Sequence, residues 1–185
     1  FNYTKTTEEL AAQFKGAPSL IDRMLVLQRL SNKDDSPLKN EVVSIALNDL
    51  FYGVRESALD MIMESADVSQ LAVIRSLAKS DPHSRVRATA IQVLTANEDS
   101  ELKAISEMAL DAQAYRVVSV GLQGLVVADP TAATAAATEL EKLDNPSINS
   151  ALAGIYAEAG DPAKLPFFEK QMATADGYGA LDIMD

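Results

Sequence analysis

The stretch DPHSRVRATAIQVL, residues 81–94, holds the only histidine of the sequence, followed closely by two arginines. A histidine can act as a general base or as a metal ligand. A zinc site of the usual kind needs several ligands at fixed spacing, and the sequence offers one histidine and no cysteine. A Ser-His-Asp arrangement needs a nucleophile elbow, and no Gly-x-Ser-x-Gly occurs. His83 is therefore predicted to be a turn residue at the start of a helix.

Four arginines share one local setting, and guanidinium groups suit both phosphate and carboxylate partners. Arg55 and Arg87 each follow a valine and stand three residues before an alanine, Arg116 follows a tyrosine, and Arg23 precedes an apolar run. One interpretation is that these side chains bind an anionic ligand. The other is a ladder, with stems buried beside apolar residues and heads paired. The regular slot favours the ladder, and both interpretations stay open.

The arginine slot returns at a nearly constant interval along the chain. Successive intervals between Arg23, Arg55, Arg87 and Arg116 are 32, 32 and 29 residues, and Asn149 occupies the slot 33 residues further on. A constant period of about 30 residues is typical of stacked repeat architectures. The histidine stretch is therefore interpreted as one copy of a structural repeat.

Each period predicts two helices, because apolar residues recur at helical spacing in two segments. Thr6 and Glu9 are spaced as a capping box, and Ser36 and Asp129 each precede a proline at a first-turn position. A pair of such short helices cannot bury its own apolar stripe, so neighbouring pairs must cover it, as in an α-solenoid. The predicted helices are 7–15, 19–31, 37–48, 52–64, 68–79, 83–96, 99–110, 113–128, 131–143, 147–159 and 162–174.

The predicted helix at 113–128 is apolar nearly all round, which is typical of a helix buried on several sides. It contains Gly121 and Gly124, which lack the strand and the further glycine of a dinucleotide-binding loop. A glycine inside a helix costs about 1 kcal/mol relative to alanine. The two glycines therefore predict close contact with a neighbouring helix.

The charge balance excludes several classes of function. The net charge of −11, with no cluster of Lys and Arg, disfavours a nucleic-acid partner. No apolar run approaches the roughly 18 residues of a membrane-spanning helix, so no membrane partner is expected. The absence of cysteine excludes disulfides and is compatible with either redox compartment. The acidic surface is interpreted as solubilising, with a surface for a basic partner as the alternative.

The Val-Arg-x-x-Ala pattern at 54–58 and 86–90 resembles HEAT repeats, and the resemblance extends over residues 19–160. Asp49 and Asp81, each six residues before an arginine, match the acid of that family's turn. The resemblance implies an all-α right-handed superhelix of about five helix pairs plus a partial sixth. The pattern weakens in the fourth and fifth units. The resemblance also implies a structural Asp–Arg ladder, formed here by Arg23, Asp49, Arg55, Asp81, Arg87 and Arg116.

The first thirty residues resemble the entry into the C-terminal helical region of bacterial zinc aminopeptidases of the aminopeptidase-N family. A short strand with a Lys-containing segment leads there to helices carrying an Asp-Arg pair, here Asp22 and Arg23. The resemblance implies a bacterial enzyme whose catalytic and β domains precede this region. Neither His-Glu-x-x-His nor Gly-x-Met-Glu-Asn occurs. No catalytic, cofactor-binding or metal residue is therefore expected in this chain, and zinc would belong to the parent chain.

The predicted organisation is an extended lead-in at 1–6, a HEAT-like repeat domain at 7–176 and the truncated start of a further helix at 177–185. The leading functional hypothesis is a non-catalytic module that helps to wall the peptide-binding cavity of a zinc metallo-aminopeptidase. Its partner would be a protein or peptide on the concave face, or the catalytic domain of the same chain. The alternative is a stand-alone scaffold that binds a partner protein in its concave groove.

Overall fold

The structure, a computed structural model, describes residues 5–65 and 68–174. Within these residues it is all-helical, without strands, as predicted. Short 3-10 segments occupy Val68–Gln70, Glu141–Leu143 and Pro162–Lys164. The α-helices are α1 (Thr7–Gly16), α2 (Leu20–Ser31), α3 (Pro37–Ala46), α4 (Tyr52–Ser65), α5 (Leu71–Ser80), α6 (Ser84–Ala96), α7 (Leu102–Leu110), α8 (Tyr115–Ala128), α9 (Pro130–Leu140), α10 (Pro146–Ala159) and α11 (Leu165–Thr174).

The helix starts follow the predicted capping signals. The Thr6 hydroxyl accepts the Glu9 N–H and the Glu9 carboxylate accepts the Thr6 N–H, which closes the predicted capping box. The Ser36 hydroxyl caps α3 and the Asp129 carboxylate caps α9, each just before the proline at the first helical position. These caps place the turns between helices where the sequence predicted them.

Several predicted boundaries differ from the structure, among them the start of the helix predicted at 162–174, where a 3-10 turn precedes α11. The helix predicted at 68–79 starts with a 3-10 turn, and α5 begins only at Leu71. The helix predicted at 131–143 ends with a 3-10 turn. The helix predicted from 99 begins at Leu102, because the Asp99 carboxylate accepts the Glu101 N–H and holds a turn there. The predicted lead-in at 1–6 lies mostly outside the described residues, and the predicted helix start at 177–185 lies wholly outside them.

The helices pack in consecutive pairs, α1 with α2 through α9 with α10. In each pair the helix that comes first in the chain is called the first helix and the other the second helix. Each second helix also packs on the second helix of the next pair. The contacts therefore run in order through α2, α4, α6, α8 and α10. Among the first helices, α1 packs on α3 and α5 packs on α7. Each apolar stripe is thus covered by neighbours rather than by its own pair alone.

Two apolar clusters meet at α8. Val117 and Val120 belong to the cluster that runs back to α1, while Val118 and Leu122 belong to the cluster that runs on to Phe167 of α11. The helix contacts α6, α7, α9 and α10, so the prediction that this segment is buried on several sides is confirmed.

The two glycines of α8 allow a close approach to α7. A Cβ atom added at Gly121 would lie 2.6 Å from the Ala109 Cβ, and one added at Gly124 would lie 2.5 Å from the Ser106 Oγ. No side chain larger than hydrogen fits at either position without movement of its neighbour. The predicted role of the glycines in close helix contact is confirmed.

Candidate functional site

The most enclosed charged group of the described structure joins the second and third helix pairs. Arg55 of α4 donates from Nε to Oδ2 of Asp81 at 2.7 Å and from Nη2 to Oδ1 at 2.9 Å. Its Nη1 donates to the Asp49 carbonyl at 2.7 Å. The side chains of Arg55 and Asp81 are 9% and 2% exposed. A two-bond Arg–carboxylate contact fixes orientation as well as distance, so it sets how α4 meets the turn before α6.

The same contact recurs one unit earlier, between Arg23 of α2 and Asp49. Arg23 Nε lies 2.8 Å from Asp49 Oδ2, and its Nη2 donates a hydrogen bond to Oδ1 at 3.2 Å. In both units the two residues are 26 positions apart. Both carboxylates also hold their own turn, because Asp49 accepts the Phe51 N–H and Asp81 accepts the His83 N–H. Each aspartate therefore ties one second helix to the start of the next.

The remaining ladder positions lack a carboxylate partner within the described residues. Arg87 donates to the carbonyls of Asp81 and Pro82 at 2.6 and 3.4 Å, and the position six residues before the next slot is Leu110 instead of an aspartate. Arg116 is exposed and forms no hydrogen bond or ion pair with any residue that the structure describes. Two units of the ladder thus have an Arg–Asp ion pair, with two hydrogen bonds to the carboxylate from Arg55 and one from Arg23. The third unit has only the carbonyl contacts, and the fourth has neither.

At the position where the fifth unit has asparagine in place of arginine, the side chain is buried. The Asn149 amide donates to Asp144 Oδ1 at 3.4 Å and to Gln171 Oε1 at 3.2 Å. The shorter, uncharged side chain of Asn149 therefore still links its helix to the preceding turn and to α11.

A second row of ion pairs, on the first helices, was missed by the sequence reasoning. Arg75 of α5 makes two hydrogen bonds to Asp99, at 2.9 and 2.7 Å, and Lys103 of α7 lies 2.7 Å from Asp129. These partners are 24 and 26 positions apart, close to the spacing of the first row. In the sequence, the signal for these ion pairs was a lysine or arginine followed about 25 residues later by an aspartate in a predicted turn. It was overlooked because the repeats were aligned on the Val-Arg motif of the second helices.

The acids of this second row titrate below their ordinary range. The hydrogen bond from Arg75 is the main cause that lowers the pKa of Asp99, and the hydrogen bond from Lys103 likewise lowers the pKa of Asp129. Both carboxylates are therefore charged at neutral pH, where a general acid would need its proton. The chemistry of these groups is that of a structural joint.

His83 lies at the N-cap position of α6, as a turn residue, and its side chain does not cap the helix. Its ring stacks on Tyr52, with the ring centroids 3.8 Å apart and an angle of 17° between the planes. Across the described residues, no three His, Asp or Glu side chains are grouped so as to hold a metal ion. The aromatic contact links the starts of α4 and α6 beside the Arg55–Asp81 contact.

The one tyrosine–lysine–carboxylate group of the described residues lies near the C-terminal end. The Tyr156 hydroxyl and the Lys164 ammonium both donate to Glu141 Oε2 at 2.8 Å, and Lys164 also lies 4.1 Å above the Tyr156 ring. Burial is the main cause that raises the pKa of Tyr156, whereas Lys164 lowers the pKa of Glu141. The Tyr156 side chain is buried, and its ring packs edge-to-face on Phe167 of α11. The group fastens α11 to the last helix pair.

An apolar groove of about 490 Å³ lies between α2 and α4. The apolar side chains at its opening come from one face of α2, and three of them are spaced as i, i+3 and i+4. Exposed fractions are 68% for Ile21, 38% for Met24 and 41% for Leu25. The α4 side of the groove is formed by Ser57, Asp60 and Met61. The signal was present in the sequence, because α2 carries more apolar residues than one buried stripe needs.

Comparison of the chain with protein-family models and with curated proteins finds no match. None of the helices in the described ranges is long and apolar enough to cross a membrane.

Proposed function

We propose that this chain is a non-catalytic protein-interaction module built as a HEAT-like right-handed superhelix of five helix pairs followed by α11. The carrying observation is that consecutive second helices pack on one another, with links of constant spacing between them. Repetition of one such step turns each pair by a similar angle and produces a curved stack. The second helices would line the concave face, which in such stacks is the usual binding surface for a protein or peptide.

The chemistry of the described residues supports binding rather than catalysis. Buried charged groups such as Arg55 and Asp81 are engaged with each other at a helix start, and the groove between α2 and α4 is lined mainly by apolar side chains. Apolar grooves with few polar groups are typical of recognition sites. The acidic surface, with a net charge of −11, favours basic partners over acidic ones.

A peptide-selection experiment tests this proposal. Peptides are selected from a displayed random library against the chain, and their affinities are measured for two variants by fluorescence anisotropy. Gln92→Arg combined with Gln123→Arg alters the exposed surface of second helices α6 and α8, whereas Ala104→Arg alters the exposed side of first helix α7. The double variant is expected to weaken selected peptides about tenfold or more, and Ala104→Arg less than about twofold. Equal effects of the two variants, or no selected peptides, would contradict the proposal.

A second candidate is that this module is the C-terminal region of a zinc metallo-aminopeptidase, where it walls the peptide-binding cavity. Its support is the resemblance of residues 1–30 to the entry of that region. Two side chains in that stretch have structural contacts: Lys5 donates to Gln13 of α1, and Arg23 joins α2 to Asp49. The partner would then be the catalytic domain of the same chain, and zinc would be held by that domain.

The gene tests this second candidate. If it holds, the reading frame upstream of Phe1 encodes His-Glu-x-x-His, and the whole protein releases amino-terminal residues from aminoacyl p-nitroanilides in a zinc-dependent manner. A start codon directly before Phe1 would exclude the candidate while leaving the interaction module untouched.

A further inference from the structure

We propose that the groove between α2 and α4 binds an amphipathic helical segment of another protein, in which apolar side chains stand next to lysine or arginine. This inference rests on the proposed function and names the partner's chemistry. It begins from Ile21, Met24 and Leu25, which are exposed on one face of α2 although each is a large apolar side chain. Clusters of exposed apolar side chains rimmed by polar groups mark interaction sites.

The groove has the dimensions of a recognition site. Its volume of about 490 Å³ lies within the roughly 300–1,000 Å³ usual for ligand pockets. Buried Leu27 and Met61 form part of its lining, so the base is packed and dry, while Ile21 and Leu25 remain open to solvent. Exposed side chains one helical turn apart match the apolar ridge of a partner helix, where anchors also recur at i, i+3 and i+4.

The charge around the groove selects a cationic partner. The ionisable residue in its lining is Asp60. Next to it, two carboxylates, Glu56 and Asp60, act on one guanidinium, that of Arg85, which lies 3.0 Å from Glu56. The remaining cation of α2 besides Arg23 is Arg29, which lies outside the lining. The lining itself therefore carries one negative charge, that of Asp60, and an added lysine or arginine would be attracted to it.

The same charge disfavours the other occupants of an apolar groove. A second copy of this chain also carries −11, so its approach is opposed by repulsion. An anionic lipid surface is repelled in the same way. A segment with basic side chains flanking its apolar ridge satisfies both the groove and its rim.

The probe for the test is a fluorescein-labelled helical peptide of leucine and lysine, about 15 residues long, with leucine on one face. Its counterpart has glutamate in place of lysine. Affinity is measured by fluorescence anisotropy for the wild-type chain, for Met24→Glu and for Met108→Glu. Both substitutions replace an exposed methionine and add one negative charge, but Met108 lies on α7, away from the groove. The general electrostatic attraction between the acidic chain and the lysine peptide is therefore the same in the two variants.

We expect the lysine peptide to bind the wild type, with affinity lowered about tenfold or more by Met24→Glu and less than about twofold by Met108→Glu. Asp60→Asn is expected to weaken binding several-fold, and thermal melts of all variants check that they are folded. Equal weakening by the two glutamate variants overturns the proposal, as does equal binding of the glutamate peptide or no binding of either. Dimerisation of the chain through the groove, lost in Met24→Glu, also overturns it.

These outcomes separate the inference from the proposed function. Suppose that library peptides respond to the Gln92 and Gln123 substitutions but binding of the lysine peptide is insensitive to Met24→Glu. This result would support the interaction module and refute the groove as the binding site of a basic helix. Failure of both experiments would remove both.

Discussion

Arg55 and Arg116 occupy the same slot of the repeat, yet the structure treats them in opposite ways. Arg55 is buried and holds Asp81 with two hydrogen bonds, while Arg116 is exposed and has no partner within the described residues. Six residues before the next slot, the turn after Arg55 has Asp81, whereas the turn after Arg116 has Leu143. The contact is therefore decided by the acid of the next turn, and an arginine alone does not form it.

The C-terminal pairs are joined by different means. Val118 and Leu122 of α8 belong to one apolar cluster with Ile148 and Leu152 of α10, and the arginine slot of that unit holds uncharged Asn149. Burying a charge pair costs desolvation that the pair must recover through its geometry, so an apolar joint is an equivalent solution. The two halves of the molecule thus join neighbouring helix pairs through different chemistry, and they should respond differently to the same substitution.

The largest difference is expected from Asp→Asn substitutions in the two halves. Asp81→Asn leaves the guanidinium of Arg55 buried without a counter-charge, which is expected to cost about 3–5 kcal/mol of unfolding free energy. Asp144→Asn removes an exposed partner of Lys170 and should cost less than about 1 kcal/mol. Asn tolerates the left-handed backbone of Asp144, so the two changes are matched. Urea unfolding measures both, and equal losses would show that the halves are not distinguished by their joints.

Glycine substitutions sharpen the comparison between α8 and α10. Gly121→Ala would drive a Cβ against the Ala109 Cβ and the Ser106 carbonyl, and overpacking of this kind costs about 1–3 kcal/mol. Gly154→Ala has open space around it in the middle of α10 and is expected to stabilise by about 0.5–1 kcal/mol. Thermal melting gives both signs. No loss of stability in Gly121→Ala would contradict the close packing of α7 on α8, and a loss in Gly154→Ala would contradict the open space around Gly154.

The sequence was sufficient for the elements but not for all of their contacts. Helix positions followed from apolar spacing and from caps such as Ser36 and Asp129, because these signals are local. The two glycines of α8 also predicted a close contact with a neighbouring helix, because a glycine inside a helix is destabilising unless it permits such a contact.

Contacts between units depend on two positions far apart in sequence, and there the prediction was weaker. Arg87 and Arg116 share their slot with Arg55, but their partners depend on residues 110 and 143, which lie outside the Val-Arg motif. The Arg75–Asp99 contact was missed because Arg75 lies on a first helix, outside the aligned pattern. The groove on α2 was not predicted, because periodicity shows that a helix has excess apolar residues but not which of them stay uncovered.

Arginine substitutions test whether the slot itself is structural. Arg87→Ala removes two hydrogen bonds to the carbonyls before α6 and should lower the unfolding free energy by about 1–2 kcal/mol. Arg116→Ala changes an exposed side chain and should stay within about 0.5 kcal/mol. Peptide binding is expected to be unchanged in both, since neither side chain lines the groove. Unchanged melting of Arg87→Ala together with lost binding would show that the arginines contact a ligand.

The smallest effect concerns pH and the second row of ion pairs. Lys103 lowers the pKa of Asp129, so the stability that this pair contributes is present above the ordinary aspartate pKa and is lost as pH falls through the folded value. In Lys103→Met the pKa of Asp129, followed by carbon NMR, is expected to rise towards the ordinary range. The stability difference from wild type should then be largest near neutral pH and vanish in acid. Lys33→Met, which removes a lysine elsewhere, should leave that pKa unchanged. A difference that persists or grows in acid would mean that Lys103 acts through packing of its stem, which would make the exposed joint between α7 and α9 an apolar one like that between α8 and α10.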